Sequence, residues 1–195
     1  MINRFFSLVV LVLLAVAPAS AQVNFGIKGG VINTKMKFDA EQYTSKSKMG
    51  WFVGPVLRVK LPLVGADIAA LFTQKKLDIN DQTFTQKTLE IPINARLNLN
   101  FGSAAGIYFA LGPQFGFNVG DSEFKWNERE SYKRTFQLKK SSFSFNFGAG
   151  LMVARHVEVG IVYNIALGKT GELKDLNEND KPKSKSWLLS AAYVF

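Results

Sequence analysis

Serine, histidine and carboxylate side chains are the residues of this chain that could support hydrolysis, and their spacing argues against it. His156 is the sole histidine. It stands in an expected tight turn, while Ser141, Ser142 and Ser144 begin the strand that leads into that turn. About ten strand residues at ~3.3 Å each separate them by ~30 Å, whereas a hydroxyl and its base must lie ~2.6–3.2 Å apart. The chain has no cysteine, which excludes thiolate chemistry and a disulfide framework. No His/Cys cluster offers a metal site. Gly148-Ala149-Gly150 lacks the third glycine and following helix of a dinucleotide loop. The expectation is a protein that is not an enzyme and needs no cofactor.

The charges inside apolar stretches are more informative. Lys28, Arg58 and Arg96, with Asp67, Glu90 and Glu158, all fall on the face opposite the large apolar residues. Equal numbers of each sign in an enclosed space are expected to pair, because a buried charge left alone is costly. Such pairing would plug an interior and fix strand register. The other reading is a charged translocation path. Arg58, Asp67 and Arg96 fall near the same ends of consecutive strands, so Asp67 is expected to pair with at least one arginine.

These residues are positioned by eight stretches of period-two alternation, the signature of strands with two unlike faces. They are residues 23–33, 48–60, 64–73, 86–101, 106–120, 142–154, 157–167 and 186–195. Each reaches the ~9–11 residues of a tilted transmembrane strand. Long charged connections follow the first, third, fifth and seventh, and short ones follow the second, fourth and sixth. Long outer loops and short periplasmic turns are the pattern of outer-membrane barrels. The expected fold is all-β, an eight-stranded antiparallel up-and-down transmembrane β-barrel. With an even strand count, both termini are expected on the periplasmic side. Closure leaves no unpaired backbone donor facing lipid.

Residues 1–21 read as a signal peptide. Arg4 supplies the positive charge and residues 5–17 an apolar run of about 13, within the ~7–15 expected. Ala19-Ser20-Ala21 is a small-x-small cleavage site, leaving residues 22–195 as the barrel domain. The run is short of the ~20 residues of a spanning helix. The final stretch ends on Phe195, with Tyr193, Leu189 and Trp187 on the same parity, like the C-terminal signal of bacterial outer-membrane barrels.

Glycines 26, 30, 50, 54, 65, 112, 116, 148, 150 and 160 lie on the lumen-facing parity. Glycine weakens a strand, but here it makes room for large inward neighbours such as Tyr108 and Phe52. Eight strands enclose a space just wide enough for side chains, so no open pore is expected. Pro55, Pro92 and Pro113 remove ladder donors inside three strands, where bulges or irregular pairing are expected. Phe25, Phe101, Tyr193 and Phe195 should form a lower aromatic girdle, and Trp51, Phe72, Phe143 and Trp187 an upper one.

The net charge of +9 lies mainly in the long connections. Lys35, Lys37, Lys46 and Lys48 stand in the first, and Lys125, Arg129, Lys133, Arg134, Lys139 and Lys140 in the third. The expected partners are outer-membrane lipid, including lipid A phosphates reached through the basic loops, and an unidentified protein. Nucleic acid is not expected. Beyond Gly120 the alternation inverts, with apolar Phe124, Trp126, Tyr132, Phe136 and Leu138 on even numbers. This predicts a hairpin above the membrane with an apolar side leaning over the barrel mouth, a candidate outer-loop binding surface.

The motifs Leu89-Glu90-Ile91-Pro92, Leu111-Gly112-Pro113, Phe147-Gly148-Ala149-Gly150 and Val162-Tyr163-Asn164 resemble the PorT-like outer-membrane β-barrel domain family over nearly the whole mature chain. The resemblance implies an eight-stranded barrel in the outer membrane. It also allows an accessory role in transport or protein secretion, and no residue carries that role over. The remaining alternative is a soluble periplasmic barrel binding a small apolar ligand, with its apolar face turned inward.

Overall fold

The computed structural model describes residues 22–37, 45–60, 63–79, 82–102, 105–120, 123–128, 132–138, 140–154, 156–167, 171–173 and 183–195. Its elements are all strands: β1 (Gln22–Lys37), β2 (Ser45–Lys60), β3 (Val64–Ala69), β4 (Leu71–Ile79), β5 (Gln82–Phe101), β6 (Ala105–Asn118), β7 (Glu123–Glu128), β8 (Tyr132–Leu138), β9 (Ser141–Val153), β10 (Val157–Ala166), β11 (Gly171–Leu173) and β12 (Lys183–Val194).

Neighbours in sequence pair antiparallel around one sheet, which closes where β1 meets both β2 and β12. β3 and β4 together fill one place in the ring, so the barrel has eight strands. The closing seam runs from Gly26 opposite Val194 to Lys37 opposite Lys183.

Alternation decides which face goes where. On β1 and β12 the odd residues Phe25, Ile27, Val31, Trp187, Leu189 and Tyr193 are exposed on the outside, while Ile32, Thr34, Leu188 and Ser190 are buried inside. A soluble ligand-binding barrel needs the reverse, and that alternative is overturned by the outward apolar band. Phe25 stacks on Phe195 at 6.3 Å between ring centroids, and Phe195 meets Tyr193 at 5.4 Å. At the other end Trp51 meets Phe72 at 5.6 Å, Phe143 meets Phe115 at 5.2 Å, and Trp187 meets Tyr163 at 4.6 Å. All of these rings lie on the outer face.

The three prolines leave gaps in the ladder without moving its phase. Between Pro92–Gln114 and Ala95–Leu111 the β5–β6 pairing lapses opposite Gly112 and Pro113, then resumes in the same register. The expected third strand is broken at Ala70, which lies between Pro55 and the segment at Pro92. Pro55 cannot donate, but its carbonyl accepts from the Ala70 N–H at 3.1 Å. Several strands also run further than the alternation suggested, β4 to Ile79 and β12 from Lys183 among them. Beyond the lipid a strand keeps its hydrogen bonds but loses the contrast between faces that a sequence can reveal.

Candidate functional site

The lumen is filled in layers. Nearest the end that carries Gln22 and Phe195, four charged side chains from four strands meet. Arg58 on β2 reaches across the lumen to Glu158 on β10 with both guanidinium arms, one of them at 2.8 Å. Arg96 on β5 donates to the same carboxylate at 3.1 and 3.2 Å, and to Asp67 on β3 at 3.0 Å. Asp67 also accepts from Asn94 at 2.8 Å. All four are buried. Glu158 is thus the hub, since one carboxylate holds two arginines.

Asp67 does pair with an arginine, as the spacing suggested, and the arginine is Arg96. Arg58 stands directly opposite Asp67 in the ladder yet takes Glu158 on the far wall. Adjacency in register does not decide where a long guanidinium stem ends. Lys28 is half-buried on β1. Glu90 belongs to a separate group. It pairs with Lys75 and accepts from Gln114 at 2.9 Å and Thr88 at 3.3 Å. Lys75 was missed in the sequence because the alternation was read only to residue 73, although its odd parity continues the lumen face of β4.

Arg96 lies over the ring of Tyr108, 3.8 Å from its centroid. Tyr108 is buried and seated on two glycines of the facing strands. A Cβ at Gly150 would come within 2.6 Å of the ring, and one at Gly160 would strike the phenol oxygen. Phe52 uses Gly30 in the same way, its ring 2.9 Å from where a Cβ would be. Phe52 also joins Ile32, Val56, Ala69, Leu71 and Leu188 in an apolar cluster inside the barrel, so part of the lumen is an ordinary hydrophobic core.

A chain of amides links the groups. Asn164 donates to Asn146 at 2.7 Å and to Ser144 at 2.8 Å, and Asn146 donates to Gln114 at 3.0 Å. Beyond it lies a void of ≈ 20 Å³ lined by Lys75, Thr88, Glu90, Ser144 and Asn164, among others. That is room for about one water, given the ~10–15 Å³ a water requires.

The lone histidine is tied to the turn. His156 Nδ1 is 2.7 Å from the Val194 carbonyl, and its ring stacks on Tyr193 at 5.9 Å. The serines Ser141, Ser142 and Ser144 begin β9, whose far end leads into that turn. Among the described residues no group of three or more potential metal ligands occurs.

β7 and β8 form an antiparallel hairpin that belongs to its own three-stranded sheet with β11. Its register sets Phe124 opposite Phe136, Trp126 opposite Arg134 and Glu128 opposite Tyr132. Leu138 pairs with Gly171, and Phe136 with Leu173. The barrel sheet ends near Asn118 and Ser141, and a third strand from a later loop joins the outer pair. Where the side chains of Phe124, Trp126, Tyr132, Phe136 and Leu138 point lies outside the described residues, as do those of Lys37, Lys46 and the basic residues 125–139.

The model of the outer membrane protein beta-barrel domain family matches residues 6–195. Among solved structures, Neisserial surface protein A (NspA) from Neisseria is similar, with a TM-score of 0.53, 13% identity, and coverage of 89% of this chain and 99% of that one. OprG of Pseudomonas aeruginosa gives 0.49 at 13% identity, covering 88% and 95%. Ail of Yersinia pestis, solved in complex with the heparin analogue sucrose octasulfate, gives 0.47 at 16%, covering 89% and 99%. No curated protein matches the chain.

Proposed function

Because this chain belongs to the outer membrane protein beta-barrel domain family, we propose that it serves as an integral outer-membrane barrel without catalytic activity, its lumen closed and its long loops binding a partner or supporting the envelope. The observation that carries this reading is the buried group of Arg58, Glu158, Arg96 and Asp67 spanning the lumen from four strands. A translocation path needs mobile charges lining water. Here each guanidinium and carboxylate is committed to another, and Tyr108 and the amide chain occupy the adjoining space. The charge network acts as a structural plug.

Reconstitution in planar bilayers is expected to give no conductance above that of the empty membrane. The same protein should need detergent and migrate differently on gels with and without boiling. Reproducible single-channel steps would sink the closed-lumen reading.

A secretion or transport accessory is the second reading. It is favoured by the PorT-like motifs around Pro92 and Pro113 and by the three-stranded sheet of β7, β8 and β11, a built platform on which a partner can dock. In both readings the termini face the periplasm and residues 1–21 are removed on export. Intact mass of the protein purified from outer membranes should correspond to a chain beginning at Gln22. A retained N-terminal segment would refute the cleavage.

A further inference from the structure

We propose that a belt of outward-facing lysines around the loop end of the barrel, centred on Lys35 and Lys185, holds the phosphates of lipid headgroups in the surrounding leaflet. The proposal rests on the reading of this outer surface as lipid-facing, and it assigns a site to that contact.

Lys35 on β1 and Lys185 on β12 are direct cross-strand partners, and both are exposed on the outside of the barrel. Like charges directly opposite one another lie ~4.5–5.5 Å apart at Cβ and destabilise a sheet. Two positions further along the same ladder the register again sets lysine against lysine, Lys37 opposite Lys183. A sheet has no reason of its own to repeat an unfavourable pair. An anion seated between the ammonium groups removes the repulsion.

The pattern continues around the rim. Lys76 on β4 and Lys87 on β5 are exposed diagonal neighbours, since Lys76 faces Thr85 and Lys87 faces Gln74. Lys140 is exposed beside them on the next hairpin, where Asn118 donates to its carbonyl and Val119 to that of Lys87. Among the residues whose side chains are described, the acids are Asp67, Glu90 and Glu158, and all three are buried in the lumen.

Height selects the ligand. Lys185 stands two positions beyond Trp187 and Lys76 four beyond Phe72. At ~3.3 Å per residue these are steps of about 7–13 Å along the strand. Interfacial aromatic rings sit at headgroup level, so the lysines reach the phosphate layer just above. A soluble anion would have no need of the aromatic floor, whereas a phospholipid or lipid A molecule places acyl chains on that floor and phosphate on the lysines.

The test compares the protein with its K35Q/K185Q variant in dodecyl maltoside, with and without bisphosphorylated lipid A. Without lipid A the variant should unfold at the same denaturant concentration as the parent or a higher one, because the repulsion is gone. With lipid A the parent should gain stability and retain the lipid in native mass spectra, and the variant should retain at least about tenfold less. Dephosphorylated lipid A should stabilise parent and variant equally. Equal retention of bisphosphorylated lipid A by both proteins would overturn the site. So would inorganic phosphate reproducing the full effect, since the ligand would then be a free anion. Failure of the outer-membrane reading itself would be separately visible as a protein that needs no detergent.

Discussion

Replacing Glu158 with alanine is expected to destabilise the barrel by about 3–5 kcal/mol, the cost of leaving a buried charge without its partner. The effect should sit at the upper end of that range. Among the described residues Glu158 is the only carboxylate bonded to Arg58 and one of two bonded to Arg96, so one truncation strands one guanidinium and half-strands another. Asp67→Ala should cost less, because Arg96 keeps Glu158. Buried ion pairs are worth little against well-packed apolar residues of like volume. Replacing Arg58, Arg96, Glu158 and Asp67 together with Met, Met, Leu and Asn should therefore recover most of the loss, since no member of the group is left charged and unpaired. Equilibrium unfolding of the four proteins in phospholipid vesicles measures the order. Equal midpoints for E158A and the parent would mean that the cross-lumen group is not holding the structure.

Gly160→Val is expected to cost about 1–3 kcal/mol, the usual penalty for forcing methyl groups into a filled interior. The first obstacle is a side chain, for the new Cβ would run into the Tyr108 hydroxyl, with the Ala149 carbonyl oxygen next at 3.2 Å. Tyr108→Ala alone should cost about 3–5 kcal/mol, as expected for emptying an aromatic site, with the stacking of Arg96 lost as well. In the double variant the two costs should not add, and a favourable coupling of about 0.5–3 kcal/mol is expected for residues that share one space. Strict additivity would show that Gly160 is required for some reason other than Tyr108.

The faces of all eight barrel strands were legible in the sequence, because lipid outside and a crowded lumen inside impose opposite demands on alternate residues. The seating of Tyr108 on glycines of the facing strands was legible for the same reason, since parity alone put them on one side. Strand ends were not. Above the lipid both faces become polar, and so Lys75, two residues past the last readable position, was lost with its bond to Glu90. The partner of Arg58 was not legible either. Parity places a side chain in the lumen, and the reach of a flexible guanidinium then offers it Asp67 or Glu158 without preference. β11 is three residues long in a charged connection, too short to carry any period, so the outer hairpin's third strand had no signal.

The seam between β1 and β12 also governs how the molecule can come into being. Asn24 donates to the carbonyl of Phe195, 171 residues away, and the ladder beside it joins the first described strand to the last. Closing so large a loop is entropically late, and nonlocal pairings of this kind make folding slow. Until that ladder zips, β1 and the other open edge carry unsatisfied donors and acceptors that hydrocarbon cannot solvate. A half-built sheet therefore has no stable home in the bilayer. Assembly is close to all-or-none, and the wait before closure is the interval in which the chain is exposed to aggregation and most in need of a chaperone.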